Sequence, residues 1–432
     1  MTTASLGTRP AEPAGPTDDG SRVALVSRKA PAAFTAVTAA LALALVLAAQ
    51  PGDTTYRLRA RGDLATLPDL TVPSMATAWV LVVVMAVLSA ASWLLLARRR
   101  RTPLPVVAAF SLVAVVAFLT WAAAGGTVPL VGLLGGAVAL AVPLVFGALG
   151  GVVGERAGVV NIAIDGQLLL GAFAAALVGS LTGSTWAGLV AAMVAGVLVA
   201  AVLAVFAITY LVDQVIVGVV LNVLVIGLTS FLFTQVLAED TARLNSPPRF
   251  DAVAIPLLGD LPLLGPVLFR QTPVVYLMYV LVAATAFALY RTRWGLRLRA
   301  VGEHPKAADT VGIDVLATRY RAVLLAGAMA GAGGAFYTLV SVPQFNREMT
   351  GGAGYIALAA VIFGTWDPVR ATLAALLFGF ASNLQGVLSA VGSPVPSQFL
   401  LMLPYVVTIF AVAGLVGRSR PPAADGVPYV KQ

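Results

Sequence analysis

The sequence predicts an all-α polytopic membrane protein with about 10–12 transmembrane helices, and three observations support this fold class. Of the 432 residues, 59% are hydrophobic and only 11% are charged, whereas a soluble domain carries roughly 25% charged residues. The charged residues leave long uncharged gaps, and a bilayer-spanning helix needs about 20 largely apolar residues. Within these gaps the apolar runs are continuous and do not alternate with polar residues, which argues against a membrane β-barrel.

Spans are predicted wherever an uncharged gap is long enough to cross the bilayer. Some gaps, such as the one between Arg101 and Glu155, are long enough for two spans. The segment 353–366 is short for a span, so a re-entrant helix is the alternative there. Gly327 and Gly331 form a GxxxG step that favours close helix packing, although such steps also occur by chance in Ala- and Gly-rich membrane proteins. The predicted spans are 33–50, 74–97, 104–123, 128–149, 164–182, 186–209, 214–238, 273–290, 322–340, 353–366, 371–390 and 398–417.

Orientation follows from the positions of Arg and Lys, because cytoplasmic loops are enriched in both. Basic residues cluster at 98–101, in the loop from Arg291 to Arg321, and at Arg418 and Arg420. Twelve spans and a cytoplasmic N-terminus place all three clusters in the cytoplasm. Both termini are therefore predicted to be cytoplasmic, and the loop 239–272 is predicted to lie outside the cell membrane.

One membrane domain is predicted between two tails. Residues 1–30 are rich in Pro, Ser, Thr, Gly and Asp and predict a disordered cytoplasmic tail. The first apolar run starts too late for a cleavable signal and is interpreted as a span. N-terminal transmembrane helices are expected over 31–125 and a core over 126–417, followed by a short cytoplasmic tail over 418–432.

Composition and motifs exclude several function classes. The net charge of +8 would suit nucleic acid, but the charges cluster at the ends of apolar runs, so no nucleic-acid partner is expected. The absence of Cys and the single His exclude thiolate and multi-His metal sites. No GxxxxGK[ST] loop is present and no catalytic triad can be assembled. We therefore expect no enzymatic activity and no cofactor, which leaves a transporter, a channel or a scaffold.

Polar residues inside the apolar segments are the candidates for a translocation path, since polar groups at membrane depth are costly unless they face a bundle interior or water. Asn161 and Asp165 are four residues apart, so a helix would place them on one face. Amides without fixed charge favour a neutral polar solute over an ion. The alternatives are that Asp165 lies near the interface or caps a broken helix, and that the amides bind helices together. The candidate path residues are Asn161, Asp165, Gln167, Asn222, Asn383 and Gln385.

The loop 292–320 is long for a connection and contains a short amphipathic helix pattern. Pro305 is suited to start a helix and Gly312 to stop one. A compact helix on the inner face is what a membrane subunit needs to receive force from a soluble partner. The alternative is a positively charged loop that only sets the topology. The candidate coupling residues are Gly302, Glu303, His304, Lys306, Asp309 and Gly312.

Four segments resemble the membrane subunits of bacterial ABC importers, and most of all the nucleoside permeases of the branched-chain amino acid/ribose permease superfamily. The resemblance covers about 145–417. The segments are GERAGVVNIAIDGQLLLGAF at 154–173, IPLLGDLPLLGPVLF at 255–269, GLRLRAVGEHPKAADTVGI at 295–313 and GYIALAAVIFGTWDPVRATLAALLFG at 354–379.

Three positions depart from the usual pattern of that family. The family often has Glu where Asp165 stands, so the charge is kept but the reach is shorter. Its late motif often begins Gly-Arg-Gly, whereas this chain has Ala353 between two glycines and lacks the positive charge. Its coupling loop often has Asn where His304 stands.

The resemblance implies an ABC importer permease fold and a role in uptake. By this resemblance, the loop 302–313 would dock into the cleft of an ATP-binding cassette ATPase subunit. The loop 239–272 would meet an extracytoplasmic substrate-binding lipoprotein, and a second permease, homologous or identical, would complete the pore. Nucleosides are the cargo that the resemblance implies. The alternatives are an ABC permease for sugars or branched-chain amino acids, an ion-coupled secondary transporter, and a scaffold with no cargo.

Overall fold

The computed structural model describes residues 28–59, 67–393, 395–396, 398–399, 402 and 420–431. Over these residues it is a helical bundle, in which ten helices are long and apolar enough to cross a membrane. The all-α polytopic fold class is therefore confirmed. The ten long helices are α1 (Lys29–Leu47), α2 (Ser74–Ala97), α3 (Leu104–Ala122), α4 (Leu130–Arg156), α5 (Ile164–Thr182), α6 (Thr185–Ala204), α7 (Gln214–Leu232), α9 (Pro273–Arg291), α12 (Val315–Phe336) and α14 (Pro368–Val391).

Shorter elements connect the long helices. A π-helical turn extends α6, α7 and α12, so that these apolar segments end at Thr209, Leu237 and Ser341. The remaining elements are β1 (Asp53–Arg57), β2 (Leu70–Pro73), β3 (Thr127–Pro129), α8 (Thr241–Leu244), β4 (Val253–Ala254), a further π-helical turn (Gly265–Phe269), β5 (Arg270–Gln271), α10 (Arg293–Glu303), α11 (Pro305–Thr310) and α13 (Ala353–Phe363).

A small sheet with strand order β2-β1-β3 lies at one end of the bundle, which we call the sheet end. Strand β1 is antiparallel to β2 and parallel to β3. Because β1 follows α1, β2 leads into α2 and β3 leads into α4, the sheet holds the same end of three helices. The hydroxyl of Thr54 in β1 donates to the carbonyl oxygen of Thr120 in α3 at 2.7 Å, which ties α3 to the same end.

The opposite end of the bundle, which we call the basic end, collects the positive charge. The turn 98–101 between α2 and α3 is exposed there. Helix α4 also ends there, at Arg156, and its last carbonyl oxygen lies against Gly302 of α10. The exposed Arg420 belongs to a C-terminal segment whose Ala424 is hydrogen-bonded to Gly302. The basic clusters in the described residues therefore share one end, as the sequence predicts.

The centre of the bundle is held together by glycines that allow helix backbones to touch. A Cβ atom on Gly196 in α6 would overlap the carbonyl oxygen of Gly327 in α12, and one on Gly331 would overlap the carbonyl oxygen of Ala192 in α6. A Cβ atom on Gly171 in α5 would also overlap the backbone of Gly331. The GxxxG step of Gly327 and Gly331 is thus a true packing surface, because both glycines face α6.

Helix α13 corrects the reading of 353–366 as a full-length helical span, because its helix covers only Ala353–Phe363. Its 11 residues extend about 16 Å at 1.5 Å per residue, which is about half the roughly 30 Å of a hydrocarbon core. The helix begins after Gly351 and Gly352, which both have positive φ. It ends before Thr365 and Trp366, which also have positive φ. These turns limit α13 to half a span.

The two ends of α13 lie at different depths. Its first turn is hydrogen-bonded to Asp165 inside the bundle, and Ala357 lies against Gly147, about two-thirds of the way along α4. Its last turn leads to Trp366, beside Arg156 at the basic end. The chain therefore enters the bundle interior before α13, and α13 completes the passage to the basic end.

Two predictions concern residues that are largely outside the described part of the chain. The predicted span 398–417 lies outside it except at 398, 399 and 402, and the predicted disordered tail 1–30 lies outside it up to residue 27. The described residues that precede and follow 398–417 in the chain lie at opposite ends of the bundle. Val391 is beside Gly126 near the sheet, whereas Ala424 is at the basic end.

We expect Gly196→Ala to lower the free energy of unfolding by about 1–3 kcal/mol, because overpacking a tight contact forces the backbones apart. The added methyl group would overlap the carbonyl oxygen of Gly327. Thermal unfolding in detergent measures the loss. Gly227→Ala is the matched control, since its Cβ atom meets nothing within 4 Å. Equal midpoints for the two variants would contradict the close packing of α6 on α12.

Candidate functional site

The loop between α4 and α5 brings polar groups into the bundle. Gly158 has φ of +86°, a left-handed conformation that favours glycine, and it turns the chain back after α4. Helix α5 then begins at Ile164. This residue packs on Gly147 and Gly151 in the interior of α4, not at the end of α4. Asp165 therefore starts α5 inside the bundle, among apolar helices.

Asp165 caps the half-helix α13. Its carboxylate accepts a hydrogen bond from the backbone N–H of Gly354 at 2.9 Å and one from the hydroxyl of Thr350 at 3.4 Å. The side chain is only 4% exposed. The first N–H groups of a helix have no partner within the helix, and a negative charge there is stabilised by the helix dipole. The contact matches the capping alternative, and the helix that Asp165 caps is α13.

Asn222 of α7 joins three elements around this cap. Its Oδ1 accepts from the backbone N–H of Gly166 at 2.8 Å. Its Nδ2 donates to the carbonyl oxygen of Ile162 at 2.8 Å and to the hydroxyl of Tyr355 at 3.0 Å. The amide thus binds α7 to the start of α5 and to α13, in the manner expected of a polar residue between membrane helices.

Asn161 and Gln167 are hydrogen-bonded to each other in the same region. The Asn161 amide donates to Oε1 of Gln167 at 3.0 Å, and the Gln167 amide donates back at 3.3 Å. Both side chains are fully buried. Gln214 holds the loop from the α7 side by accepting from the N–H of Val160 at 2.7 Å. In this conformation Asn161 and Gln167 are hydrogen-bonded to each other and closed to solvent.

The other two candidate path residues lie elsewhere. Asn383 in α14 donates to the carbonyl oxygens of Gly132 and Leu133, at 3.1 and 2.7 Å, near the sheet end of α4. Gln385 lies on the same stretch of α14 and is partly exposed. The structure therefore groups Asn161, Asp165, Gln167 and Asn222, and separates Asn383 and Gln385 from them. We call these four grouped residues the central polar cluster.

The coupling loop folds into two short helices, and the second of them begins and ends where the sequence predicts a helix. Thr292 caps α10 by accepting from the N–H of Gly295 at 3.2 Å. Helix α11 begins at Pro305, and Gly312 lies just beyond its end with φ of +83°. His304 caps α11, since its Nδ1 accepts from the N–H of Ala307 at 3.2 Å. A ring nitrogen thus performs the capping that an Asn side chain also performs.

The candidate coupling residues divide into an exposed surface and a buried contact. Glu303, His304, Lys306 and Gly312 are exposed, and Asp309 is half-buried. Gly302 is buried, and a Cβ atom there would overlap the carbonyl oxygen of Arg156. The two helices therefore present polar side chains outward while the end of α10 rests on the end of α4.

Arg156 connects this loop to the turn between α13 and α14. Its guanidinium lies 4.0 Å from the Glu303 carboxylate, and it donates to the carbonyl oxygens of Trp366 at 2.9 Å and Thr365 at 3.4 Å. Both of those residues have positive φ, a costly conformation that surrounding contacts must hold. The indole N–H of Trp366 also donates to Glu155. The ends of α4, α10 and α13 are therefore joined through polar contacts.

Sequence reasoning missed three residues at the basic end. Arg156 and Trp366 both lie in the quoted motifs but received no role. Arg319 of α12 is 1% exposed, and the signal for it was an Arg at the start of an apolar segment, where a buried charge marks a functional contact. Among the described residues, no group of three or more His, Cys, Asp or Glu residues is arranged to hold a metal ion.

Comparison with known proteins places most of the bundle in one family. The family described as branched-chain amino acid transport system/permease component matches residues 133–412. The chain is 40% identical to the guanosine ABC transporter permease protein NupQ of Bacillus subtilis, over 67% of this chain and 94% of that protein. It is 37% identical to the nucleoside ABC transporter permease protein NupC of Lactococcus lactis, over 67% and 93%.

A third relative has a different name. The putative glucose ABC transporter permease protein TsgC13 of Haloferax volcanii is 36% identical over 67% of this chain and 93% of that protein. No solved structure matches the chain significantly. The family match begins at Leu133, so α1, α2, α3 and the three-stranded sheet precede it.

We expect Asn222→Ala to lower the free energy of unfolding by about 1–3 kcal/mol for each backbone group left without a partner. The substitution removes the contacts to Gly166 and Ile162 as well as the one to Tyr355. Tyr355→Phe is the graded control, because it removes only the last of these. Thermal unfolding in detergent should rank wild type above Tyr355→Phe and Tyr355→Phe above Asn222→Ala. The reverse order would contradict the assignment of Asn222 as the side chain that joins α7 to α5 and α13.

Proposed function

We propose a function for this chain from one premise, which is that the chain belongs to the branched-chain amino acid transport system permease family. It is a multi-pass membrane permease subunit of an ABC transporter. We propose that it forms part of the translocation pathway for nucleosides, that it works as an importer, and that a separate ATPase subunit drives it. The further partners are a second permease and an extracytoplasmic substrate-binding lipoprotein.

The observation that carries this proposal is a continuous chain of contacts from the coupling helices to the central polar cluster. Gly302 and Glu303 contact Arg156. Arg156 binds the turn at Trp366, which ends α13. The other end of α13 is capped by Asp165. A displacement of α10 and α11 would therefore be transmitted to Asp165 through α13, a rigid half-helix about 16 Å long.

A force path of this kind suits a subunit that hydrolyses no ATP itself. The sequence has no phosphate-binding GxxxxGK[ST] loop, so transport driven by ATP would take its energy from another chain. The exposed face of α10 and α11 is where that chain would dock. With this face in the cytoplasm, the basic end is cytoplasmic, as is the C-terminal segment that lies against it.

The cargo proposal rests on the relatives and on the chemistry of the central polar cluster. Two of the relatives are named for guanosine and nucleoside transport. Amide groups and the Tyr355 ring, beside Asn222, match a neutral solute that carries hydrogen-bonding groups on an aromatic base. Glucose is the second candidate cargo, because a relative of 36% identity is a putative glucose permease.

The test is uptake into proteoliposomes that contain this chain with its ATPase, second permease and binding protein. We expect ATP-dependent uptake of labelled guanosine that excess adenosine reduces and that excess glucose or leucine does not. An ATPase subunit with its phosphate-binding Lys replaced is the control. Uptake by this chain alone, driven by a proton or sodium gradient, would instead identify a secondary transporter. Competition by glucose alone would reassign the cargo to sugars.

Deleting residues 303–309, or changing Lys306→Glu, should uncouple ATP hydrolysis from uptake. Both changes alter the exposed surface that would meet the ATPase. We expect ATP-dependent uptake to fall by roughly tenfold or more, within the usual range of coupling free energies, while membrane insertion stays intact. Arg100→Ala, in an exposed turn at the same end, is the control. Normal uptake in the coupling variants would refute the docking assignment.

Asp165→Asn should lower uptake without lowering the amount of protein in the membrane. An amide oxygen still accepts from the N–H of Gly354, so the fold is kept, but the negative charge that the helix dipole stabilises is lost. Asp165→Ala, which leaves that N–H without a partner, should lower stability by about 1–3 kcal/mol as well. Uptake by Asp165→Asn equal to wild type would leave Asp165 with a capping role only.

A further inference from the structure

The C-terminal residues 422–429 lie across the basic end of the bundle, and we call them the C-terminal strap. Pro422, Ala424 and Tyr429 are buried, whereas the residues between them are partly or fully exposed. A tail that merely follows a last span needs no such buried side chains. The strap therefore belongs to the folded structure of the basic end.

Backbone hydrogen bonds attach the strap to the end of α10. The N–H of Ala424 donates to the carbonyl oxygen of Gly302 at 2.9 Å. The N–H of Ala423 donates to the Glu303 carboxylate at 3.3 Å. Gly302 and Glu303 also contact Arg156 of α4. The strap and α4 therefore bind the same end of α10.

The strap also touches α12 and the loop between α4 and α5. Arg319 of α12 donates to the carbonyl oxygen of Val427 at 3.0 Å. The approach to the loop is close, since a Cβ atom on Gly158 would lie 2.9 Å from the carbonyl oxygen of Ala424. A Cβ atom on Gly426 would lie 3.4 Å from the side chain of Val160. The strap thus joins three elements that are far apart in sequence.

Tyr429 anchors the far end of the strap. Its ring is 6% exposed and packs with Val301 of α10, Ala308 of α11 and Val315 of α12. A single aromatic side chain therefore fills the junction of three helices. Its neighbour Val430, which lies outside the strap, is 61% exposed.

A cluster of charged groups joins the strap to α4 and α12. Asp425 of the strap interacts electrostatically with Glu155 of α4 and with Arg319 of α12, and both of these partners are buried. Burial raises the pKa of the Asp425 carboxyl, and Arg319 partly offsets this. Each of the three side chains has at least one buried polar atom without a hydrogen-bond partner in the described part of the chain. Such groups cost free energy and need an explanation in a native fold.

We propose that the C-terminal strap is a working part of the coupling apparatus, which holds α10 and α11 to the ends of α4 and α12 and stays docked while they move. The strap then transmits the displacement of the coupling helices to the membrane helices. This inference rests on the proposed function of α10 and α11. It adds a third element, remote in sequence, to the two-helix loop.

The first experiment uses the complete reconstituted complex. Tyr429→Ala, and a chain truncated after residue 419, are compared with the control Val430→Ala. We expect the first two to lower the ratio of uptake to ATP hydrolysed by roughly tenfold or more, with the ATPase subunit still bound. Uptake equal to wild type in both would overturn the proposal. Increased uptake would also overturn it, because the strap would then be an inhibitory lock.

The second experiment asks whether the strap must leave its site. The chain has no Cys, so Val160→Cys with Gly426→Cys creates a single possible disulfide between strap and loop. We expect the disulfide to form, and uptake by the oxidised protein to be at least equal to that of the same protein after reduction. Failure of the disulfide to form, or uptake lost on oxidation and recovered on reduction, would overturn the proposal.

The two experiments separate the strap from the proposed function. If the wild-type complex shows no dependence on ATP, the proposed function fails and the strap inference fails with it. If the wild-type complex is driven by ATP and the truncated chain is driven equally well, only the strap inference fails.

Discussion

The contact between the Asp165 carboxylate and the first turn of α13 is the interaction on which the rest of the structure depends. A helix that starts inside an apolar bundle exposes backbone N–H groups where no water can satisfy them. Asp165 supplies an acceptor and a charge for one of these groups, the N–H of Gly354. Asn222 then fixes the start of α5, on which Asp165 lies, by binding Gly166 and Ile162. Without this cap, the half-helix would have no stable place to begin.

A half-helix held at both ends is a suitable element for coupling. The far end of α13 reaches Trp366, whose carbonyl is bound by Arg156 and whose indole binds Glu155. The same Arg156 faces Glu303 of the coupling loop. Allosteric coupling needs a connected element that two sites can bias. In this chain the element is short, stiff and anchored by polar groups at each end, whereas the long helices around it are held mainly by apolar packing.

The helices before the family match run along the bundle and pack against α4 and α14 near the sheet end. They share an apolar cluster with Leu133 of α4 and with Leu384 and Leu388 of α14. Strand β1 pairs with β3 directly before α4, so the extra helices are tied to the first helix of the matched region. This contact lies at the end of the bundle opposite the coupling helices. It reinforces the end of α4 that the force path does not use.

The strap changes how the basic end is understood. A positively charged surface at this end follows from the distribution of Arg alone and serves to orient the chain. Asp425 instead interacts electrostatically with Glu155 and with Arg319, and these two residues are only 3% and 1% exposed, a burial that orientation of the chain does not require. The basic end therefore contains an exposed surface suited to a partner and, beneath it, a buried junction between remote segments.

The sequence by itself determined the membrane fold class, most spans, the family and one short helix of the coupling loop, the one that begins at Pro305. These follow from local properties, namely the length of apolar runs, helix signals such as Pro305 and Gly312, and motifs read in order along the chain. Only the tertiary structure decided that 353–366 is a half-span. It also decided that Asp165 caps α13 rather than its own helix, and that Asn383 lies apart from the other amides. Each of these depends on which segments, far apart in sequence, meet in space. A single sequence records no such pairing, and a buried polar group acquires its role only from the partner it reaches.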